Sequence, residues 1–139
     1  MAATKKKKKA KKSGVVRGKR KEATARVLVT KGKGRVYFNG VALSALTSAY
    51  VRHIVSEPLR FVDANAYDVN VTVRGGGTMG QAQAARVAIA NALVVHEGDA
   101  LKTAYMAHDR SLLVEDSRRV EPKKFRGPKA RARFTKSYR

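Results

Sequence analysis

Tyr67-Asp68-Val69-Asn70-Val71-Thr72-Val73-Arg74 runs directly into Gly75-Gly76-Gly77-Thr78, and the reading of this junction decides the fold. Tyr67, Val69, Val71 and Val73 alternate with polar residues, a period of two that predicts a strand with one face on a core. With such a regular pattern it is expected to lie centrally in a sheet. The glycines end the strand, and Thr78-Met79-Gly80-Gln81 opens a helix, Thr78 and Gln81 having the spacing of a capping box. This helix runs to about Val95 with Ala82, Ala85, Ile89 and Leu93 along one face. Alanine-rich faces allow a helix to lie close on a sheet.

Toward the N-terminus, Ala23, Ala25, Val27 and Val29 alternate with Thr24, Arg26, Leu28 and Thr30 and predict a second strand. Lys31-Gly32-Lys33-Gly34 reads as a turn, Arg35 to Phe38 as a short strand, and Asn39-Gly40 as a further turn, so residues 23–38 are expected to form a hairpin. From Val41 to Ser56, Leu43, Leu46, Tyr50, Val51, Ile54 and Val55 recur at helical spacing until Pro58 ends the helix. A loop or short turn then leads to residue 66.

Beyond the long helix, Ala100 to about His108 predicts a last helix with Asp99 as its N-cap and Leu101, Ala104 and Tyr105 buried. Leu112 to Val114 suggests an edge strand. Pro122, Gly127 and Pro128 predict an extended rather than helical ending. There is no internal repeat, and the one low-complexity segment is the N-terminal lysine run.

The chain has 139 residues and no cysteine, which fits one domain and excludes disulfides, thiolate metal sites and cysteine redox chemistry. No apolar stretch follows the first lysines, so a signal peptide is not expected. The apolar segment Val87 to Val95 is too short to span a bilayer. These features predict a soluble intracellular protein without membrane contact. The net charge of +21 is concentrated at the ends: +11 in residues 1–21, +1 in 22–116 and +9 in 117–139. Such ends repel themselves unless a polyanion neutralises them. The expected organisation is a disordered basic tail (1–21), a nearly neutral globular RNA-docking domain (22–116) and a basic extended tail (117–139).

A strand, glycines and a helix N-terminus form an arrangement that can bind phosphate through free N–H groups and the helix dipole. Arg74-Gly75-Gly76-Gly77-Thr78 has it, but lacks the Gly-Lys-Ser/Thr of a P-loop and the acidic residue of a Rossmann site. A nucleotide-binding enzyme using Gly75 to Gly80 is therefore the weaker reading, beside a tight strand-to-helix turn and the docking of an RNA phosphate. His53, His96 and His108 are too scattered for a metal site. Glu115-Asp116 beside Arg118 and Arg119 predicts local ion pairing rather than acid–base chemistry. No serine has a nucleophile setting. No catalytic residues, metal or cofactor are expected.

The run from Lys123 to Arg139 interleaves Phe125, Phe134 and Tyr138 with eight cations. Cations neutralise phosphates and aromatic faces accept unstacked bases, so the mixture suits RNA better than a membrane. The N-terminal lysines have no aromatics and read equally as an RNA arm, a solvated tail or a nuclear-localisation patch.

Several motifs now coincide: Gly18-Lys19-Arg20-Lys21-Glu22-Ala23-Thr24-Ala25-Arg26-Val27, Val36-Tyr37-Phe38-Asn39-Gly40, Val73-Arg74-Gly75-Gly76-Gly77, Gly80-Gln81-Ala82, Ala84-Ala85-Arg86 and Lys129-Ala130-Arg131. Together they resemble the universal small-subunit ribosomal protein number nine, the S-nine family, over nearly everything after residue 17. The ending Lys136-Ser137-Tyr138-Arg139 resembles its archaeal and eukaryotic branch, and the short length and the polylysine start favour an archaeal source.

The resemblance implies an α+β fold, a two-layer α/β sandwich with a mostly antiparallel sheet like the second domain of ribosomal protein S-five. It implies a cytoplasmic, non-enzymatic role in the head of the small ribosomal subunit, with ribosomal RNA and neighbouring ribosomal proteins as partners. Candidate ribosomal-RNA contacts are Arg17, Lys19, Arg20, Lys21, Arg26, Arg74, Gly75, Gly76, Gln81, Arg86, Arg118, Arg119, Lys123, Lys124, Arg126, Lys129, Arg131 and Arg133. The family's C-terminal tail approaches the transfer RNA of the peptidyl site, which carries over to Lys136, Ser137, Tyr138 and Arg139. The lysine run lies outside the shared motifs.

Overall fold

A computed structural model describes residues 14–63 and 65–137. Its five strands are β1 (Val16–Arg20), β2 (Ala23–Lys31), β3 (Val36–Phe38), β4 (Val41–Ala42) and β5 (Tyr67–Arg74), and its helices are α1 (Ala49–Ser56), α2 (Thr78–Glu97) and α3 (Asp99–His108). The strands form one sheet in the order β1-β2-β5-β3-β4. All pairings are antiparallel except β3 with β5. The fold is the α+β sandwich expected from the sequence, with β5 in the central position.

The period-two pattern places Ala23, Ala25, Val27 and Val29 of β2 beside Val69, Val71 and Val73 of β5 on one buried face. α2 covers that face, and its Ala82, Ala85, Ile89 and Leu93 are all fully buried. Among the described residues, the opposite sheet face carries no helix.

The chain before residue 22 departs from the expected tail. Val16–Arg20 is an edge strand paired with β2 from Val16↔Val27 to Arg20↔Ala23, turning through Lys21 at φ 52°. The expected boundary at 21/22 therefore falls inside a hairpin. Residues 1–13, with the lysine run, lie outside the described residues.

The expected hairpin over 23–38 is also replaced. β2 and β3 are not neighbours, because β5 lies between them. The 31–35 segment crosses the start of β5 and is tied there: Gly32 N–H donates to Ala66 O at 3.0 Å, and Asp68 Oδ1 accepts from Lys33 N–H at 2.9 Å and Arg35 N–H at 2.8 Å. Those hydrogen bonds hold the Asp68 carboxyl below its ordinary range, Arg35 N–H being the first cause and Lys33 N–H the second. The true hairpin partner of β3 is β4, joined by Asn39 (φ 49°) and Gly40 (φ 83°). Both residues adopt the left-handed values that a tight two-residue turn requires.

Other boundaries shift for local reasons. The expected helix over 41–56 opens instead with β4 and a 3₁₀ turn at Leu43–Ala45, and α1 starts only at Ala49. Ser48 is its N-cap, its hydroxyl accepting from Val51 N–H at 3.4 Å. The capping box at Thr78 does not form. Gly77 is the N-cap of α2 without a side-chain bond, and Gln81 Nε2 donates back to Gly75 O at 3.1 Å. Gly98, not Asp99, precedes α3, and Ala104 is exposed while Leu101 and Tyr105 are buried. Arg110–Leu112 is a 3₁₀ turn where an edge strand at 112–114 was expected. Among the described residues, no helix is long and apolar enough to cross a membrane.

Candidate nucleic-acid interface

The alternation that buries one side of the sheet sends the other half of each strand into solvent. In register across β1, β2 and β5, Lys19 stands opposite Thr24 and Thr24 opposite Arg74, while one pleat further Arg17 stands opposite Arg26 and Arg26 opposite Thr72. Arg17, Arg26 and Arg74 are exposed and Lys19 is half-buried. None of the four has an ion pair among the described residues. Leu28, Asn70 and Tyr37 continue the same face as a row across β2, β5 and β3. Asp68, the carboxylate on this face of β5, is occupied by the loop N–H groups described above. The open face is thus a cationic surface with one aromatic ring.

The glycine loop borders it. Gly75 (φ 74°) and Gly76 (φ 64°) lie against the β1–β2 turn, where a Cβ on Gly75 would stand 2.6 Å from Glu22 O and one on Gly76 2.9 Å from Ala23 N. That contact accounts for both glycines by packing alone. It also brings the uncapped α2 N-terminus beside Arg20 and Lys21, which line a shallow cleft with Gly76, Thr78 and Gly80. An anion in that cleft would meet N–H dipoles and a lysine.

The other candidate contacts divide according to what they already hold. Arg86, with its side chain 15% exposed, pairs through Nε with Glu57 at 2.7 Å and through Nη2 with Asp109 at 2.7 Å, and donates to Ser111 Oγ at 3.2 Å. It ties α2 to the Glu57–Phe61 turn and to the 3₁₀ turn after α3, and its guanidinium has no free edge for RNA. Arg20 is similarly engaged, bonded to Gln83 at 2.7 Å and ion-paired with Asp116. Asp116 also accepts from Arg118, and Arg119 pairs with Glu115 at 3.1 Å, the local pairing expected from the sequence. Arg118, first, and Arg20 hold the Asp116 carboxyl far below its ordinary range. Arg131 is held by Glu121.

Lys21, Lys123, Lys124, Arg126, Lys129, Arg133 and Lys136 have no ion pair among the described residues. Ser137 is exposed, and Tyr138 and Arg139 fall outside the described residues. Leu28, Tyr37, Asn70 and Thr72 were not singled out from the sequence. Their signal was the polar half of the same alternation that revealed the core.

The model of the family described as Ribosomal protein S9/S16 matches residues 18–139. Similar proteins include the small ribosomal subunit protein uS9 of Methanothrix thermoacetophila, 48% identical over 126 residues that cover 88% of this chain and 95% of the relative. The proteins of the same name from Halobacterium salinarum and Eremothecium gossypii are 46% and 44% identical, again over 88% of this chain and over 96% and 93% of theirs. With the match beginning at Gly18 inside the edge strand and running through the cationic face, the glycine loop and the basic C-terminal segment, the chain belongs to the ribosomal protein S9/S16 family.

Proposed function

We propose that this chain is a structural constituent of the small ribosomal subunit in the cytoplasm, seated in the subunit head on ribosomal RNA and neighbouring ribosomal proteins, and that residues 136–139 reach peptidyl-site transfer RNA. Its part is binding rather than chemistry. The observation that carries the RNA reading is the open sheet face, where Arg17, Lys19, Arg26 and Arg74 lie in register without carboxylate partners among the described residues. A cationic, helix-free sheet beside a basic C-terminal arm matches a phosphate backbone in charge and reach. The similarity to small ribosomal subunit proteins supports the choice of subunit. Against an enzyme, the packing of Gly75 and Gly76 on the β1–β2 turn explains the loop without a bound nucleotide.

Replacing Arg17, Arg26 and Arg74 together by alanine removes three phosphate partners and no buried contact. The affinity for small-subunit ribosomal RNA should fall at every salt concentration, and the slope of log affinity against log salt should flatten by roughly 2–3. An unchanged slope would remove the open face from the interface. Deleting residues 136–139 tests the other end: subunits assembled with the truncated chain should retain less transfer RNA in the peptidyl site while assembling at normal yield. Normal retention would confine the arm to ribosomal RNA.

A further inference from the structure

The C-terminal segment has no helix or strand among the described residues, as its prolines and glycine suggest, but it is not extended throughout. Between Glu121 and Arg133 it closes on itself. Arg131 clasps Glu121 with two parallel hydrogen bonds, Nε to Oε2 at 3.0 Å and Nη2 to Oε1 at 2.6 Å. Arg133 Nη1 donates to Phe125 O at 2.7 Å. Arg126 takes the left-handed φ of 61° at the bend. Gly127 is buried inside the loop, where a Cβ would stand 2.0 Å from Ala132 O and 3.2 Å from Lys129 O. The loop therefore has a small interior of its own, filled by a glycine.

What it presents is unusual for a water-facing loop. Phe125 is 86% exposed, with the guanidinium carbon of Arg126 5.7 Å from its ring centroid. Lys123, Lys124 and Lys129, its neighbours along the chain, are without ion pairs among the described residues. Arg131, whose side chain is 83% exposed, and Arg133 are nonetheless engaged in these contacts within the loop. Nothing within the described chain covers the ring.

We propose that residues 121–133 form a preorganised hook in which Phe125 stacks on an unpaired RNA base while Lys123, Lys124, Arg126 and Lys129 hold the flanking phosphates. Glu121 and Gly127 are positioning residues that set the hook and touch no RNA. This rests on the RNA-binding reading above and adds a specific contact to it. A flat ring flanked by cations is the chemistry that recognises single-stranded RNA, because every base offers a π face and a phosphate on either side. A closed loop also loses less entropy on binding than a free tail.

The chain contains no tryptophan and five tyrosines, so Phe125→Trp in the full-length protein gives a single tryptophan reporter that is excited selectively at wavelengths tyrosine does not absorb. Its emission should be quenched on binding single-stranded polyadenylate and unchanged on binding duplex polyadenylate–polyuridylate. Phe125→Ala should weaken binding to the single strand by roughly 5- to 150-fold and leave the duplex affinity unaltered. Glu121→Gln is the sharper test, because it raises the net charge by one. A tail acting by charge alone then binds RNA more tightly, whereas a hook that has lost its clasp binds the single strand more weakly.

Tight binding without quenching, or tighter binding by Glu121→Gln, overturns the hook and leaves the RNA-binding reading intact. Full retention of RNA affinity by Phe125→Leu would show that no aromatic face is needed and likewise overturn it. Failure of the native chain to bind either polymer or the ribosomal RNA would sink both.

Discussion

Gly18→Val should destabilise the domain by about 3 kcal/mol or more, the upper end for an overpacked site. Even the Cβ of alanine at this position would stand 2.5 Å from Ala84 O and 2.6 Å from Ala88 N, both backbone atoms of α2. No rotamer change relieves a clash with backbone, so either β1 leaves the sheet or α2 lifts from it. The latter would open the contact that buries Ala84, Ala85 and Ala88. Urea titration should show the unfolding midpoint lowered by roughly 1–3 M. Gly14→Ala, where a Cβ meets nothing within 4 Å, should leave it unchanged. An unshifted midpoint for Gly18→Val would mean that β1 is not held against α2. Because Arg17 and Lys19 flank this glycine, release of β1 should also weaken RNA binding.

Arg86→Ala should cost about 2–3 kcal/mol, below the range for a fully buried pair because Glu57 and Asp109 retain some water. Thermal unfolding should drop by about 10 °C, while the folded fraction keeps its affinity for ribosomal RNA. Lost affinity at unchanged stability would return Arg86 to the interface. The acid limb carries a second signature. Ser111, through its hydroxyl and its N–H, and then Arg86 hold the Asp109 carboxyl down to about 2, against an ordinary 3.8. A carboxylate so depressed stabilises the fold fully above the ordinary value and loses that contribution as pH falls toward 2. The native domain should therefore weaken between about pH 4 and pH 2. Arg86→Ala should weaken less steeply there, retaining the part due to Ser111.

The sequence made the central sheet and α2 legible because their pattern is strong where burial is strong. Tyr67–Arg74 alternates without interruption and Ala23–Val29 with the single exception of Leu28, and α2 concentrates alanine where the sheet lies. β1 escaped notice for a physical reason. An edge strand needs backbone bonds on one side only, and β1 packs on α2 through a glycine, so three of its five residues could be cations. Reading it as tail followed from charge, which describes its solvent face and not its inner one. The hairpin over 23–38 failed differently. Short separation favours local pairing, and nothing within that stretch announces that β5, which begins only at Tyr67, will enter between its arms.

The candidate site was legible in charge and not in commitment. Arg86, Arg20 and Arg131 stand in family motifs or basic runs just as Arg17 and Arg26 do. Only the fold shows that the first three face carboxylates supplied by Glu57 and Asp109, Asp116, and Glu121. Cations near the few acids of a basic chain are the ones most readily withdrawn from a polyanion.

The insertion of β5 between β2 and β3 also dictates an order of events during synthesis. The β1–β2 and β3–β4 hairpins are local and can close within microseconds of emerging. Each then presents an unpaired strand edge until residues 67–74 arrive, because β5 is the neighbour both await. One late segment therefore joins two early halves, and until it is made the nascent chain exposes two sticky edges at once. A polyanion bound to the cations of β1 and β2 during that interval would shield one half while the other waits.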